Sequence, residues 1–157
     1  MNIDYQIILP RCNDLAEITD YLVRVDEQFK PPLHTRVNIE NYAKKIFEFA
    51  HFFMARDRIN GKLIGFAAAY LNKKPEFSFA TFLSVLPEYQ GEDFVGINLI
   101  KELLKYAKEY GGAGVQLAIR ESDKLLFKFY KRKGFVIVKE NFYPNSTEKE
   151  FHLQLIY

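Results

Sequence analysis

Apolar residues recur along this chain in two rhythms, every second position in some stretches and every third or fourth in others, and the change between them predicts its elements. Residues 5 to 9, YQIIL, are apolar and β-prone and are closed by Pro10, which predicts a first strand. Asn13 or Asp14 then offers an N-cap, and Leu15, Ile18, Leu22 and Val25 follow at three- and four-residue steps, a helix with one apolar stripe. Pro31 and Pro32 stop that pattern, and Asn38 restarts a second helix with Tyr42, Ile46 and Phe49 among its apolar members. HFFMARDR, Asn60-Gly61 and KLIGFAAAYL predict a hairpin, because Asn-Gly suits the positive backbone angles of a tight turn.

A turn over Asn72 to Glu76 leads into FSFATFLSVL, expected to be a buried third strand of the meander, and Pro87 ends it. From Gly96 to Tyr110, Ile100, Leu103, Leu104 and Ala107 share one helical face opposite Lys101, Glu102, Lys105 and Lys108, and Gly111-Gly112 stops the helix. GVQLAIR is a strand with Val115, Leu117 and Ile119 on one side, and a short helix from about Asp123 to Arg132 ends at Gly134. FVIVKE and FHLQLIY are the last strands, joined by the polar loop PNSTEK. The fold class is therefore α/β, a mixed sheet flanked by about four helices, with residues 77 to 119 a right-handed crossover between parallel strands.

With 157 residues the chain is expected to form a single domain, 1–157. The apolar fraction of 48% with 27% charged residues excludes global disorder. The longest nearly apolar run, Leu63 to Leu71, is about half the roughly 20 residues a membrane-spanning helix needs. The start MNIDYQIILPRC has no basic leader ahead of an apolar stretch, so the expectation is a cytoplasmic protein with no membrane partner. Twenty-two Lys and Arg stand against 20 Asp and Glu, spread along the chain, which argues against a nucleic-acid partner. Lys128, Lys131, Arg132 and Lys133 gather at a helix end, where cations meet the helix dipole favourably. Cys12 is the sole cysteine, and His34, His51 and His152 lack paired helical spacing, so no metal site is expected. The sequence leaves a homodimer open, through a terminal strand or a covered sheet edge.

The stretch SVLPEYQGEDFVGINLI joins a strand end to a helix through a loop carrying Gly91 and Gly96. Such a loop can present backbone N–H groups to phosphate oxygens with the help of the helix dipole. Its glycines can equally be backbone relief, and Glu92 and Asp93 would repel an anion if aimed at it.

In this loop, and in its element order over nearly the whole chain, the sequence resembles the GNAT superfamily of coenzyme A-dependent N-acyltransferases. VLPEYQG at Val85 to Gly91 is similar to that family's V-x-P-E-Y-Q/R-G, which leads into Q/R-x-x-G-x-G/A and an amphipathic helix. Downstream, SDKLLFKFYKRKGF keeps Phe129, Tyr130, Gly134 and Phe135 of a second family motif. The chain departs by one extra residue between Gln90 and Gly96, by Phe94 where a glycine is usual, and by Leu126 and residues 122 to 124 in the later motif.

The resemblance implies an N-acetyltransferase that uses acetyl-CoA as co-substrate and a primary amine of a small molecule or peptide as acceptor. Backbone groups of Leu83 and Val85 would pair with the pantetheine arm like a borrowed strand. Gln90, the amides of Gly91, Phe94, Val95, Gly96 and Ile97, and the Asn98 side chain would meet the pyrophosphate. Tyr130 would be the general acid for the leaving thiolate, against its bland reading as an aromatic packed on the sheet. The glutamate many members use as base aligns with Thr81, which cannot take a proton at neutral pH. A water chain, His34, His51, Glu88 or no dedicated base remain open. The alternative, motivated by Phe94, Asp93 and Thr81, is a GNAT-fold acyl-CoA sensor or interaction module without catalysis, separated from the enzyme by coenzyme binding and turnover.

Overall fold

The structure, a computed structural model, describes residues 4–8, 15–91 and 94–157. Cys12, the expected cap at Asn13 or Asp14, Glu92 and Asp93 lie outside the described residues. Seven strands, β1 (Tyr5–Ile8), β2 (His51–Asp57), β3 (Leu63–Tyr70), β4 (Ser78–Val85), β5 (Gly114–Arg120), β6 (Val136–Phe142) and β7 (Lys149–Ile156), follow the sheet order β1-β2-β3-β4-β5-β7-β6. Four helices, α1 (Leu15–Val25), α2 (Ile39–Phe49), α3 (Val95–Tyr110) and α4 (Lys124–Arg132), complete the expected α/β order. The pair β4–β5 is parallel, as the crossover requires, while β1–β2, β2–β3, β5–β7 and β6–β7 are antiparallel. Among the described residues no helix is long and apolar enough to cross a membrane. The chain divides into two compact units, Met1–Ala69 with Phe82–Leu103 and Tyr70–Thr81 with Leu104–Tyr157.

The first unit is built on Phe66, fully buried, whose ring meets those of Phe52 at 5.6 Å, Phe82 at 5.8 Å and Tyr21 at 6.0 Å. Ile18, Leu22 and Val25 of α1 join this core, the stripe expected from their spacing. Asn38 caps α2, its side chain accepting from the Asn41 N–H at 3.0 Å. The apolar stripe of α2 runs Ala43, Ile46, Phe47, Ala50. Phe49 falls about 100° from Ala50 around the helix and stands 69% exposed, so it contributes nothing to the core.

The β2–β3 hairpin is present, but its connection is wider than the tight turn expected from Asn-Gly. Gly61 has φ +70, whereas Asn60 is not among the residues with positive φ. Asp57 Oδ1 accepts from the Ile59 N–H at 2.7 Å, and Asn60 Oδ1 accepts from the Lys62 N–H at 2.8 Å, so side chains organise a longer loop. On the β3 face opposite Phe66, Gly65, Ala67 and Ala69 form a row with no side chain larger than methyl. A Cβ at Gly65 would stand 2.9 Å from Leu99 Cδ1 and 3.2 Å from Val95 Cγ1, so α3 lies directly on this row.

In the second unit Val115, Leu117 and Ile119 are buried as expected, and the antiparallel register places Leu155, Leu153 and Phe151 of β7 opposite them. α4 covers this face, with Phe127 against Phe151 at 5.5 Å. The other face carries Gln116, Ala118 and Arg120 of β5 beside Gln154, His152 and Glu150 of β7. β6 is exposed throughout, with a bulge between Ile137 and Lys139. Gly111 at φ +105 and Gly134 at φ +98 end α3 and α4 where the sequence places their stops.

Candidate active site

The sheet opens at the middle of the chain because β4 and β5 stay in register only briefly. Their parallel pairing runs over Ser78, Phe79 and Ala80 with Val115, Gln116 and Leu117, and β4 continues to Val85. At the end of β4 the Leu86 N–H donates to Ile64 O at 2.8 Å, toward β3. Alternation along a strand then turns the backbone groups of Val85 and Leu83 to the opposite edge. That is the edge on which the sequence places the coenzyme's arm.

Beyond β4, a single 3₁₀ turn at Pro87–Tyr89 leads to Gln90, whose Nε2 donates to Val85 O at 2.8 Å and to Gln28 Oε1 at 3.0 Å. Gly91 has φ +79 and Phe94 φ +52. Phe94 thus adopts the left-handed conformation that glycine takes without strain, and its ring is turned outward, 62% exposed. α3 starts at Val95, and a Cβ on Gly96 would stand 3.4 Å from Val85 Cγ2, so the helix begins against the strand end. The first-turn N–H groups of Val95, Gly96 and Ile97 have no acceptor within their own helix, and the dipole adds partial positive charge. Asn98 is committed elsewhere: its N–H donates to Phe94 O at 2.9 Å and its side chain to the Tyr5 hydroxyl. This corrects the expectation of an Asn98 contact to phosphate.

In the second unit Tyr130 is 2% exposed, with Phe135 at 5.1 Å and Phe129 at 5.5 Å. Burial, and then the negative charge of Asp123, push its phenol well above the ordinary tyrosine range. It stays protonated through neutral pH, a state that can give a proton but not take one. Thr81 lies one residue past the last β4–β5 pair.

The candidate bases differ in what holds them. His34 Nδ1 is 2.7 Å from Asp26 Oδ2, and the His34 N–H donates to Asp26 Oδ1 at 2.7 Å, which ties the α1–α2 connection together. Burial raises the Asp26 carboxyl, but the bonds from His34 outweigh it and the net direction is down. Glu88 is held below the usual range by its own backbone N–H and by Lys62 at 3.0 Å, so it is a weakened base. Burial lowers His51, keeping the imidazole neutral. Asp26, Glu27 and His34 have ligand atoms within 4.8 Å of one another, but the Asp26–His34 bonds already use them.

One polar cluster escaped the sequence reading. Glu150 Oε1 lies 2.9 Å from His152 Nε2, Glu150 Oε2 accepts from the Tyr143 hydroxyl at 3.2 Å, and Asn141 Nδ2 is 3.3 Å from the same imidazole nitrogen. The available signal was the two-residue spacing of Glu150 and His152, which puts both on one face of a strand. Asn141 and Tyr143 could not be placed beside them without the β6–β7 register.

Residues 15–135 match the family model described as Acetyltransferase (GNAT) family, a span that covers most of the chain and both units. The chain belongs to the GNAT acetyltransferase family. It is thereby a transferase by class, in a family whose acetyl donor is acetyl-CoA. An N-acetyltransferase of Methanocaldococcus jannaschii is 34% identical over 82 residues, 49% of this chain and 36% of that protein, so the match spans about a third of that relative's length. Among solved structures, the ribosomal-protein-S18-alanine N-acetyltransferase from Escherichia coli has a TM-score of 0.75 at 22% identity, over 98% of this chain and 94% of that one. A GNAT acetyltransferase from Streptococcus pneumoniae gives 0.74 at 18% identity, over 98% and 99%. These likenesses establish the GNAT fold. The GNAT loop departs in sequence at Phe94 but keeps the backbone conformation of a glycine there, and the strand end and helix start stay in contact through Gly96.

Proposed function

We propose that this GNAT chain acts as one catalytic domain that transfers an acetyl group from acetyl-CoA to a primary amine of a small molecule or peptide, by direct attack in a ternary complex. The observation that carries the reading is the junction of β4 and α3. There a left-handed loop delivers free helix N–H groups beside the outward-turned backbone of Leu83 and Val85. The pantetheine amides pair with Leu83 and Val85, and the amides from Gly91 through Ile97 receive the pyrophosphate. Gln90 braces the loop through Val85 O. A cytoplasmic location belongs to the same reading, and nothing in it requires a second copy of the chain.

In the reaction the amine nitrogen attacks the acetyl carbonyl carbon, a C–N bond forms and the C–S bond breaks. A backbone N–H at the strand edge polarises the carbonyl, and Tyr130 protonates the departing thiolate. The proton shed by the new amide nitrogen restores Tyr130.

Thermal unfolding with acetyl-CoA and with free coenzyme A tests the donor site without knowledge of the acceptor. At about 100 times the dissociation constant the ligand adds about 2.7 kcal/mol, a rise of about 5 to 10 °C for a chain of this size. No rise at millimolar ligand would overturn the donor site and leave the interaction module in its place. Tyr130→Phe is expected to lower kcat about 100-fold while coenzyme affinity stays the same. An unchanged kcat in steady-state assays would reduce Tyr130 to packing.

A further inference from the structure

The unexplained part of this chemistry is the proton on the acceptor. A primary amine is largely protonated at neutral pH, and the residue aligned with the usual base is Thr81. His34 is bound to Asp26, Glu88 to Lys62, and burial disfavours the cationic form of His51.

The sheet face that α4 leaves open carries a better-built group. Glu150 is fixed at both carboxylate oxygens, by His152 and by Tyr143, and its side chain is only 17% exposed beside a His152 side chain at 33%. A carboxylate that accepts from Nε2 places the imidazole proton there and leaves the lone pair on Nδ1, the arrangement that makes a histidine a base. Asn141 then turns its amide oxygen toward Nε2–H. The hydrogen bonds that His152 makes among the described residues both use Nε2, so Nδ1 is the nitrogen left for a substrate.

Register locates the dyad. His152 stands directly opposite Ala118 on β5, and Ala118 follows Leu117, the last β5 residue paired with β4. Thr81 is the corresponding next residue on β4. Neighbouring strands are about 5 Å apart, which places the His152 backbone roughly 10 Å from that of Thr81. The side chain between them on this face is the exposed methyl of Ala118, a low floor over which an amine can lie.

We propose that His152 is the base that takes a proton from the acceptor ammonium, and that Glu150 is its positioning residue. The assignment rests on the acetyl-transfer reading above, with the acyl carbonyl where β4 and β5 part. His152 Nδ1 accepts one ammonium proton and passes it to solvent, and the freed nitrogen attacks. The charged groups facing the dyad are Lys139, opposite His152 on β6, and Arg120, opposite Glu150 on β5. Both cations oppose the protonated imidazole, so the Glu150 carboxylate is needed to offset them. The acceptor class that fits is an unhindered primary alkyl amine.

The test compares wild type, His152→Gln and Glu150→Gln with acetyl-CoA and three acceptors: spermidine, glucosamine and a tetrapeptide with a free N-terminal alanine. His152→Gln is expected to keep the acetyl-CoA-induced rise in unfolding temperature and to lose about 100-fold in kcat/KM at neutral pH. The loss should shrink toward about pH 9, where more of the amine is free, and added imidazole should restore part of the rate. Glu150→Gln should fall between the two and shift the pH profile. A dyad that merely ties β6 to β7 would show neither imidazole rescue nor a changed pH profile, and that result overturns the proposal, as does turnover within threefold of wild type. Failure of wild type to bind acetyl-CoA instead brings down the donor site on which the proposal rests. Wild type that binds acetyl-CoA but acetylates none of the three amines also overturns the base assignment.

Discussion

Gly96→Glu is expected to abolish the rise in unfolding temperature that acetyl-CoA produces, while leaving the protein folded. The two effects separate because of where Gly96 sits. A Cβ there meets only Val85 Cγ2, at 3.4 Å, an ordinary contact, so the backbone tolerates a side chain. An acidic residue in the first helical turn also interacts favourably with the helix dipole, by about 0.3 to 1 kcal/mol. The same carboxylate would occupy and charge the place proposed for the pyrophosphate. Gly96→Ala is the control: it should bind acetyl-CoA and melt no lower than wild type. The assay is thermal unfolding at millimolar ligand, and a Gly96→Glu protein that still gains about 5 to 10 °C would remove the phosphate from this loop.

The other large effect is on stability. Phe66→Ala should cost about 3 to 5 kcal/mol, measured by urea or thermal unfolding. Its ring is fully buried and touches Tyr21, Phe52 and Phe82, which come from a helix and two neighbouring strands and cannot all collapse into the space. A typical domain holds only about 5 to 15 kcal/mol in total, so this one substitution would take a large part of it. A loss under about 1 kcal/mol would mean that the core relaxes around the gap.

Local patterns carried most of the fold. The stripes of α1 and α3, the Asn38 cap, the glycine stops at Gly111 and Gly134 and the parallel β4–β5 pair all follow from short-range spacing, capping and the crossover rule. What was not legible depends on register between distant segments. Nothing in FVIVKE or FHLQLIY says that β7 lies inside β6, and without that order Asn141 and Tyr143 cannot be placed beside Glu150. The Asn60-Gly61 turn was misread for a related reason: the Asp57 and Asn60 side chains capture backbone N–H groups and reward a longer loop. At the site, the two motifs pointed to the strand end, the loop and Tyr130. They could not reveal that Asn98 is spent on Tyr5, a partner 93 residues away in sequence.

The bare row at Gly65, Ala67 and Ala69 bears on how this protein can change. Most helices ride on a layer of side chains that can be thinned or thickened one methyl at a time, and small shifts are absorbed there. Above Gly65 α3 has no such cushion, because Leu99 and Val95 already stand where a Cβ would be. An added carbon would translate the helix, and with it the N–H groups at its first turn. The interior glycine is therefore a ruler for the active site, and drift in the loop sequence, as at Phe94, is tolerable because the helix behind it cannot slide.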